Sequence, residues 1–209
     1  MEESMKHDTE FTNNFNKNKH IFEEIYDACD NNFMRGCGSY LFDGGTYEYD
    51  DKMYGKQELL YNTVKNVNTV LEVGTYMGHS ILIMLLSNPN LKITCIDNKD
   101  EFTGPAVEVL NKHFNNNITF IHGDSLDELP KLKTKFDYFH IDGTHENDHI
   151  HKEFDLVYNL NNNPDIFKIM FDDEQFMRPL QNHIRNNYNV VTEINPQCDW
   201  SNIYFEIKM

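Results

Sequence analysis

The chain has 209 residues, which fits one domain of ordinary size or one domain with a small N-terminal extension and disfavours two full catalytic domains. Hydrophobic residues make up 39% of it and the formal net charge is −16, so a sizeable core beneath an acidic surface is expected. An acidic surface repels nucleic-acid backbones and anionic membranes, which disfavours both as partners. No apolar stretch reaches the ~20 residues of a membrane helix, and no signal-peptide core is present, so we expect a cytoplasmic protein.

The four cysteines are spread along the chain without a CxxC pair: Cys29, Cys37, Cys95 and Cys198. Neither a zinc site nor a disulfide framework is therefore indicated. We expect reduced thiols with a structural role.

The N-terminal part of the chain is expected to form a tail and a cap. Residues 1–19 are rich in Asn, Lys and acidic residues with almost no apolar periodicity, which predicts a mobile tail. From residue 20, helical spacing of apolar residues predicts a short helix that ends before Asn31. The Gly- and Tyr-rich loop 35–56 is typical either of a flap over a ligand or of an irregular surface connection. We treat 20–56 as a cap and 57–209 as the main domain.

After a helix predicted at 57–67, strand and helix patterns alternate with a period of roughly 25 to 30 residues, which is typical of a parallel sheet. Short β-branched or aromatic runs predict five buried parallel strands, at 69–73, 92–96, 118–122, 138–141 and 167–171. Two further runs, 190–194 and 203–207, have no helix between them and must pair antiparallel. The predicted fold is an α/β Rossmann-like domain with a seven-stranded, mostly parallel sheet, an antiparallel C-terminal strand and an N-terminal cap.

The first strand runs into LEVGTYMGHS, residues 71–80, where Gly74 and Gly78 lie between a strand and a helix. Glycine lets the backbone turn sharply and lets a ligand approach a helix N-terminus closely. The G-x-G-x-x-G pattern of dinucleotide sites is not met, because Tyr76 takes the place of a glycine. Glu72 instead supplies an anion, which suits the ammonium group of an amino acid better than a phosphate.

The ends of the second and third strands also carry acceptor side chains. Asp97 ends the second strand, where a carboxylate accepts both hydroxyls of a ribose in nucleoside-binding α/β sheets. After the third strand, Asp124 and Ser125 stand where an adenine amino group could be bonded. Asp124 could also cap the helix that follows, and the two roles are compatible.

Three carboxylates follow the fourth and fifth strands. Asp142 ends the fourth strand, and Asp172 and Asp173 end the fifth, so they are expected to converge at the carboxyl edge of the sheet. Like charges this close need a cation or raised pKa values. Oxygen ligands favour Mg²⁺ or Mn²⁺, and such an ion would acidify a bound hydroxyl. The alternative is that Asp142 and Asp173 cap the helices after their strands.

Four further side chains are given less weight. His149 and His151 fall on a helix predicted at 146–160 and are expected on its solvated surface. His79 is expected to pack beside the glycine loop and not to act in catalysis. The sequence does not decide whether Trp200 lines the substrate cleft or covers the sheet.

Five motifs resemble, in order and spacing, those of the class I S-adenosylmethionine-dependent methyltransferases, in particular catechol O-methyltransferase and the metal-dependent sugar O-methyltransferases of macrolide pathways. The motifs are LEVGTYMGHS, ITCID, GDSLDELP, HIDGTH and MFDD, and the resemblance covers residues 55–209. It implies S-adenosylmethionine as the cofactor. It also implies eight cofactor contacts: Glu72, Gly74, Tyr76, Gly78, Ser80, Asp97, Asp124 and Ser125. Glu72 and Gly74 would line the methionine moiety, and Ser80 would contact its carboxylate. Asp97 would contact the ribose, and Asp124 with Ser125 the adenine.

The resemblance also implies the substrate chemistry. In the resembling enzymes the positions of Asp142, Asp172 and Asp173 bind a divalent metal, although one of the last two is commonly Asn there. His145 lies three residues after Asp142, where catechol O-methyltransferase-like enzymes place a lysine as general base. A histidine can do this work at neutral pH because its unperturbed pKa is about 6.5. The predicted catalytic residues are therefore His145 and Asp142.

The sequence thus predicts methyl transfer from S-adenosylmethionine to a hydroxyl of a small molecule, with Mg²⁺ or Mn²⁺ assistance. A sugar or sugar nucleotide is preferred over a catechol, because the cap is polar and Tyr-rich and His145 replaces a lysine. No nucleic acid or membrane partner is expected, and the chain could form a homodimer. Two rivals stay open: a nicotinamide-dependent oxidoreductase, disfavoured by Tyr76, and a non-catalytic S-adenosylmethionine-binding module, disfavoured by the cluster of aspartates.

Overall fold

Seven helices and seven strands alternate along residues 7–209, the part of the chain that the computed structural model describes. The helices are α1 Glu10–Ala28, α2 Tyr54–Thr63, α3 His79–Ser87, α4 Asp100–His113, α5 Ser125–Glu128, α6 Asn147–Tyr158 and α7 Arg178–Asn187. The strands are β1 Thr69–Val73, β2 Lys92–Asp97, β3 Ile118–His122, β4 Tyr138–Ile141, β5 Ile166–Phe171, β6 Asn189–Ile194 and β7 Ile203–Lys208. Short 3₁₀ helices occupy Asp51–Met53, Leu129–Lys131 and Glu174–Phe176.

All seven strands form one sheet in the order β3-β2-β1-β4-β5-β7-β6. Strand β7 runs antiparallel to both of its neighbours, and β1 to β5 are parallel. The predicted Rossmann-like sheet with an antiparallel C-terminal strand is confirmed. In the register, Val73 at the end of β1 lies between Ile96 of β2 and Ile141 of β4. The strand order reverses at β1, and in open α/β sheets ligands bind at the carboxyl ends of the strands beside such a reversal.

Helices cover both faces of the sheet because consecutive strand residues point to opposite faces. Val70 packs into a core with α1, α2, α3 and α4, and its neighbour Leu71 packs into a second core with α6 and α7. Both side chains are fully buried. These two cores fix the strands, and the strand ends in turn fix the position of the loops that follow them.

Helix α1 begins at Glu10, well before the predicted start at residue 20. Thr9 and Thr12 form a capping box, in which each hydroxyl accepts the backbone N–H of the other residue. Phe11 and Phe15 are 1% exposed and pack in the core that also contains α3. The predicted mobile tail is therefore wrong for residues 10–19, and residues 1–6 lie outside the described part of the chain.

The cap shares its core with the sheet. Tyr40 and Phe42 of the loop after α1 are buried in the same cluster as α3 and α4. Tyr47 stacks on Phe22 and Tyr26 of α1, with ring centroids 4.3 and 4.2 Å apart. Helix α2 crosses the predicted boundary between cap and domain at residues 56 and 57. The cap is thus packed onto the domain as one continuous apolar layer.

Two expectations from composition concern the cysteines and the membrane. All four cysteines are free thiols, as predicted. Cys29 and Cys95 are buried, and burial raises the pKa of the Cys29 thiol to about 11. No helix within residues 7–209 has both the length and the apolar character needed to cross a bilayer.

Candidate active site

A cavity of about 680 Å³ opens at the carboxyl edge of the sheet, beside the reversal of strand order. Its walls carry residues that follow each of the strands β1 to β5. The cap loop contributes Ser39 and Tyr40, and the first turn of α2 contributes Lys56. The position of this loop favours the interpretation of loop 35–56 as a cover over a ligand site.

The loop after β1 approaches the cavity through two glycines that the backbone requires. Gly74 has a φ of +80°, and a Cβ there would lie 2.1 Å from the carbonyl oxygen of Asp142. Gly78 has a φ of +68° and immediately precedes α3. A Cβ on Gly78 would lie 3.0 Å from Cδ1 of Leu110. Only glycine combines these backbone angles with so close an approach of neighbouring chain.

Asp97 holds this glycine loop in place from the end of β2. Its Oδ2 accepts the backbone N–H groups of Thr75 at 2.6 Å and Tyr76 at 2.7 Å, and its Oδ1 accepts that of Lys99 at 2.7 Å. Tyr76 has a φ of +48°, a conformation that is costly for a residue with a Cβ and that the bond to Asp97 stabilises. Asp97 also lines the cavity. Because a carboxylate offers about four acceptor positions, one remains for a ligand hydroxyl.

Glu72 lies beneath the cavity and does not line it. It is fully buried, and it accepts the hydroxyls of Ser80 at 2.6 Å and Thr75 at 2.9 Å. Both hydroxyl residues line the cavity, whereas Glu72 does not. The predicted contact of Glu72 with the methionine moiety is therefore corrected: its carboxylate orients two residues of the cavity wall.

A chain of buried hydrogen bonds leads from Glu72 to the cap. His140 of β4 bonds to Glu72 through Nδ1 and to the hydroxyl of Tyr40 through Nε2, both at 2.8 Å. The Tyr40 hydroxyl also accepts a hydrogen bond from Nδ2 of Asn202, at 3.2 Å. Burial raises the pKa of Tyr40 well above its usual range, so this hydroxyl stays protonated. We call Glu72, His140 and Tyr40 the buried chain; it connects the glycine loop with the cap.

Asp124 fulfils the predicted capping role and also borders the cavity. Its Oδ1 accepts the N–H of Leu126 at 2.9 Å, at the start of α5. Ser125 is 7% exposed, and its hydroxyl lies 3.0 Å from Nε2 of His149 and bonds to Oε1 of Glu153. The second oxygen of Glu153, Oε2, is buried without a hydrogen-bond partner in the described structure. Burial raises the pKa of the Glu153 carboxyl, although its contacts with Ser125 and His149 oppose this.

The structure brings Asp142, Asp172 and Asp173 together at the cavity, as predicted. Lys56 lies among them, which the sequence analysis missed. Its Nζ is 2.9 and 3.2 Å from the two carboxylate oxygens of Asp172 and 4.4 Å from the centre of the Tyr40 ring. Lys56 is 2% exposed and Asp172 is 5% exposed. This lysine supplies the cation that three neighbouring carboxylates need.

The charges of this cluster change one another's pKa. Burial, reinforced by the negative charge of Asp172, raises the pKa of Asp142 well above its usual range. Burial opposes the charged form of Lys56, but Asp172 and Asp142 outweigh it and raise the lysine pKa above its ordinary value. Lys56 is therefore an ammonium ion at neutral pH.

The alternative interpretation of the aspartates as helix caps is not supported. The N-cap residue of α6 is Glu146, four residues after Asp142. Asp173 precedes a 3₁₀ helix, but its side chain makes no capping bond. Both carboxylates are available to the cavity.

The aspartates do not fit the metal site that the sequence predicts. Among the described residues, one cluster places three ligand atoms within 4.8 Å of one another: His20, Glu24 and His113. It is exposed, and an ordinary surface ion pair accounts for its geometry. In the cavity, Lys56 holds Asp172, and Nε2 of His145 lies 3.0 Å from Oδ2 of Asp173. A divalent ion would have to displace both partners.

His145 lies at the cavity wall with 44% of its side chain exposed. Its ring stacks on Phe176, with centroids 4.9 Å apart. The hydrogen bond with Asp173 raises the pKa of His145 above its ordinary value, although partial burial opposes this. When Nε2–H donates to Asp173, Nδ1 is the nitrogen that can accept a proton. A base oriented in this way by a carboxylate is a recurring catalytic arrangement.

The structure also shows where the remaining candidate side chains lie. His149 lines the cavity beside Ser125, so its predicted place on the solvated surface is wrong. His151 is partly exposed and packs on the ring of His183. Trp200 lines the cavity and is 57% exposed, so it belongs to the cleft and does not cover the sheet.

His79 is a buried packing residue, as predicted. It is 1% exposed, and its Nδ1 and Nε2 lie 2.6 and 2.8 Å from the hydroxyls of Ser39 and Tyr47. Burial lowers the pKa of His79 to about 3. The imidazole is therefore neutral over the whole physiological range.

This depressed pKa predicts a pH dependence of stability. Below an unfolded-state pKa of about 6.5 the unfolded chain binds a proton that the folded chain excludes, so stability falls as pH drops from about 6.5 towards 3. We expect His79 to contribute a slope of up to about 1.4 kcal/mol per pH unit in this window. Urea unfolding at pH 7 and pH 5 should show a shallower slope for His79→Gln than for wild type. The exposed control His122→Gln should keep the wild-type slope, and equal slopes for all three proteins would contradict the prediction.

Sequence reasoning missed three residues of the cavity wall or its support. Glu153 lies one helical turn after His149, and this i, i+4 spacing predicts that both side chains share one face. His140 is a polar residue within the otherwise apolar strand YFHI, which signals a buried hydrogen bond. Lys56 gives no such signal, because its partner Asp172 is far away in the sequence.

Comparisons with known proteins agree with this geometry. Residues 71–163 match a family described as a methyltransferase domain. Curated protein sequences give no match. The match covers the glycine loop, Asp97, Asp124 and Asp142 but not the cap.

Solved structures of methyltransferases share the fold. An O-methyltransferase from Bacillus cereus in complex with SAH is 15% identical, with 91% of each chain covered and a TM-score of 0.66. The O-methyltransferase TomG from Streptomyces achromogenes in complex with SAM is 16% identical, with 98% of this chain and 91% of that chain covered and a TM-score of 0.63. The SAH-bound Podospora anserina methyltransferase PaMTH1 is 14% identical, covers 90% of this chain and 88% of its own, and has a TM-score of 0.63. Identities this low establish the fold alone.

Together with the match over residues 71–163, these findings confirm the predicted resemblance to class I methyltransferases of the catechol O-methyltransferase-like group. The family match covers less than half of the chain, and the solved structures add that the chain shares the fold of methyltransferases.

Proposed function

We propose that this chain transfers the methyl group of S-adenosylmethionine to a hydroxyl oxygen of a small molecule. One observation carries the proposal: a single cavity joins the glycine loop and Asp97 on one side to His145 and the aspartates on the other. A methyl donor and a group able to deprotonate a hydroxyl would thus face the same space. This geometry suits O-methylation.

The cofactor would occupy the side of the cavity formed by β1, β2 and β3. Asp97 would accept one ribose hydroxyl at its remaining acceptor position, and not both as the sequence predicts; Ser80, held by Glu72, would bond to the methionine carboxylate. Asp124 and Ser125 would border the adenine. Glu153 lines the same region and holds the Ser125 hydroxyl through Oε1.

The reaction needs the acceptor oxygen to lose its proton as it attacks. A new O–CH₃ bond forms while the bond between sulfur and methyl carbon breaks, and S-adenosylhomocysteine leaves as a neutral thioether. Nδ1 of His145 would take the hydroxyl proton, with Asp173 holding the ring through Nε2. The negative charge of Asp173 stabilises the imidazolium that forms.

A sugar or sugar nucleotide is the acceptor class that we favour over a catechol. The acceptor side of the cavity combines charged side chains with the exposed rings of Phe176 and Trp200. Charged and polar groups suit the several hydroxyls of a sugar, and exposed aromatic rings can pack on its apolar face. Assays with a panel of sugars, sugar nucleotides and catechols test this preference. The measured quantity is the rate at which S-adenosylhomocysteine is released.

Mg²⁺ or Mn²⁺ assistance, which the sequence predicts, is not part of this mechanism. Asp172 and Asp173 are already paired with Lys56 and His145, so the residues present do not fit a preformed divalent site. No step above requires a metal ion.

The cofactor assignment is tested by Asp97→Ala. The substitution removes a charged acceptor for the ribose and leaves three backbone N–H groups without the carboxylate that holds them. S-adenosylhomocysteine binding should therefore weaken by about 10- to 100-fold, or ~1.5 to 3 kcal/mol. Calorimetric titration measures the affinity. The exposed neighbour Asp100→Ala is the matched control and should bind like wild type.

The same titrations separate the rival functions. Binding of NADH without S-adenosylhomocysteine would indicate a nicotinamide-dependent oxidoreductase. Binding of S-adenosylhomocysteine without methyl transfer to any acceptor of the panel would indicate a non-catalytic binding module. An unchanged affinity of Asp97→Ala would remove Asp97 from the cofactor site.

A further inference from the structure

We infer that the Lys56 ammonium is the resident cation of the acceptor site, occupying the place among Asp142, Asp172 and Asp173 that a divalent metal would otherwise hold. The inference rests on the proposed function only for the identity of the acceptor. Its structural basis is the bidentate contact of Nζ with Asp172, at 2.9 and 3.2 Å. Lys56 also lines the cavity, with 3% of its side chain exposed.

Three interactions fix Lys56 in this position. Its Nζ lies over the Tyr40 ring at 4.4 Å, which is a favourable cation–π distance. Its backbone carbonyl accepts a hydrogen bond from Nδ2 of the fully buried Asn202, at 3.2 Å. The neighbouring Gly55 packs closely against Cys198, where a Cβ would lie 3.3 Å from both Cβ and Sγ. The side chain is therefore held at both ends and cannot swing out to solvent without leaving buried Asp172 unpaired.

The ammonium and a divalent ion exclude each other at this site. Two cations among the same carboxylates would repel strongly because the surroundings are buried and poorly screened. Asp172 would also have to exchange two hydrogen bonds with Lys56 for metal coordination. Removal of the lysine charge should, by contrast, leave three carboxylates without their cation and create a site with the oxygen ligands that Mn²⁺ prefers.

A lysine can perform two of the tasks that a metal performs for an acceptor hydroxyl. An ammonium has three N–H donors, and the one that is not bound to Asp172 can donate to the acceptor oxygen. Its positive charge stabilises the oxygen as the proton leaves for His145. Lys56 would therefore position the hydroxyl and favour its deprotonation, and turnover would need no divalent ion.

Manganese binding tests the inference without any acceptor. The free Mn²⁺ signal in electron paramagnetic resonance is followed as protein is added, in a His113→Ala background that removes the exposed cluster on α1 and α4. The protein with Lys56 should show no Mn²⁺ site that depends on Asp142. Lys56→Met should gain such a site and bind Mn²⁺ at least about tenfold more tightly than the Lys56 protein does at any site, because three carboxylates lose their ammonium partner. Adding Asp142→Asn to Lys56→Met should remove that site.

Controls separate charge from folding. Lys65→Met removes a more exposed ammonium just after α2 and should gain no site, and Lys56→Arg keeps the charge and should also gain none. Thermal unfolding followed by circular dichroism reports whether each variant folds. The inference would be overturned if the Lys56 protein binds Mn²⁺ and Asp142→Asn abolishes that binding. A Lys56→Met variant that folds but gains no Mn²⁺ site would also overturn it. If Lys56→Met fails to fold, the titration of the Lys56 protein decides alone.

Turnover in chelator gives the functional result. Once an acceptor is found, wild-type activity should be unchanged by EDTA, and activity that returns only with Mg²⁺ or Mn²⁺ would overturn the inference. Failure of the proposed function is distinguishable, because absence of methyl transfer to every acceptor would leave the Mn²⁺ titrations unaffected.

Discussion

Gly74→Ala should abolish measurable cofactor binding and lower the melting temperature. The added Cβ would lie 2.1 Å from the carbonyl oxygen of Asp142 and 2.6 Å from Cα of Gly143, so backbone must move on one side or the other. The φ of +80° adds the cost of a left-handed conformation, about 1 to 2 kcal/mol. We expect the affinity for S-adenosylhomocysteine to fall by at least ~10²-fold, since the loop that Asp97 holds would be displaced. Calorimetry and thermal unfolding measure the two effects.

Gly36→Ala is the matched control for this substitution. Gly36 has a similar φ of +84°, but a Cβ there meets nothing within 4 Å. This variant therefore carries the conformational cost without the clash, and it should keep most of the cofactor affinity. Equal losses in both variants would show that the backbone angle, and not the contact with Asp142, makes glycine necessary.

His145→Ala should reduce kcat by ~10²- to 10⁴-fold while leaving the affinity for S-adenosylhomocysteine unchanged. The reason is that a neutral hydroxyl holds its proton too tightly to attack a sulfonium methyl unaided. His151→Ala, a partly exposed histidine on α6, should keep wild-type kcat. A wild-type kcat for His145→Ala would leave this residue as part of the cavity wall only.

The pH profile gives an independent measure of the same role. A base must be unprotonated, so turnover should fall as pH drops through the pKa of His145. The hydrogen bond with Asp173 raises that pKa, which places the acidic limb above about 6.5. Asp173→Asn should weaken this effect and move the limb to lower pH. An acidic limb at the same pH in both proteins would assign it to another group.

The sheet could be predicted because its strands are short, continuous apolar runs. Both ends of β1 and β4 agree with the sequence prediction, since a buried parallel strand needs apolar residues on both faces. Both ends of β3 also agree, although β3 lies at the edge of the sheet and is mostly not buried. The start of α1 could not be predicted in the same way. Only Phe11 and Phe15 carry the periodicity there, among asparagines and lysines, and their burial depends on contacts with distant helices.

The candidate site was predictable where it depends on the sheet alone. Parallel strands end at a common edge, so Asp97, Asp142 and Asp172 could be placed together from their positions after strands. Lys56 could not, because the cap brings it there through tertiary packing that leaves no local pattern. The direction of the Glu72 side chain was also unpredictable, since it is set by its hydrogen bonds to Ser80 and His140 across the sheet.

The buried chain determines where the acceptor range of this protein can be redesigned. Any replacement of Tyr40 disturbs His140 and, through it, the carboxylate that orients the glycine loop, so a change aimed at the acceptor would also alter the donor end of the cavity. Phe176 and Trp200 are 44% and 57% exposed and lie outside that network. A library restricted to these two positions would vary the acceptor pocket while the machinery for holding the methyl donor stays intact.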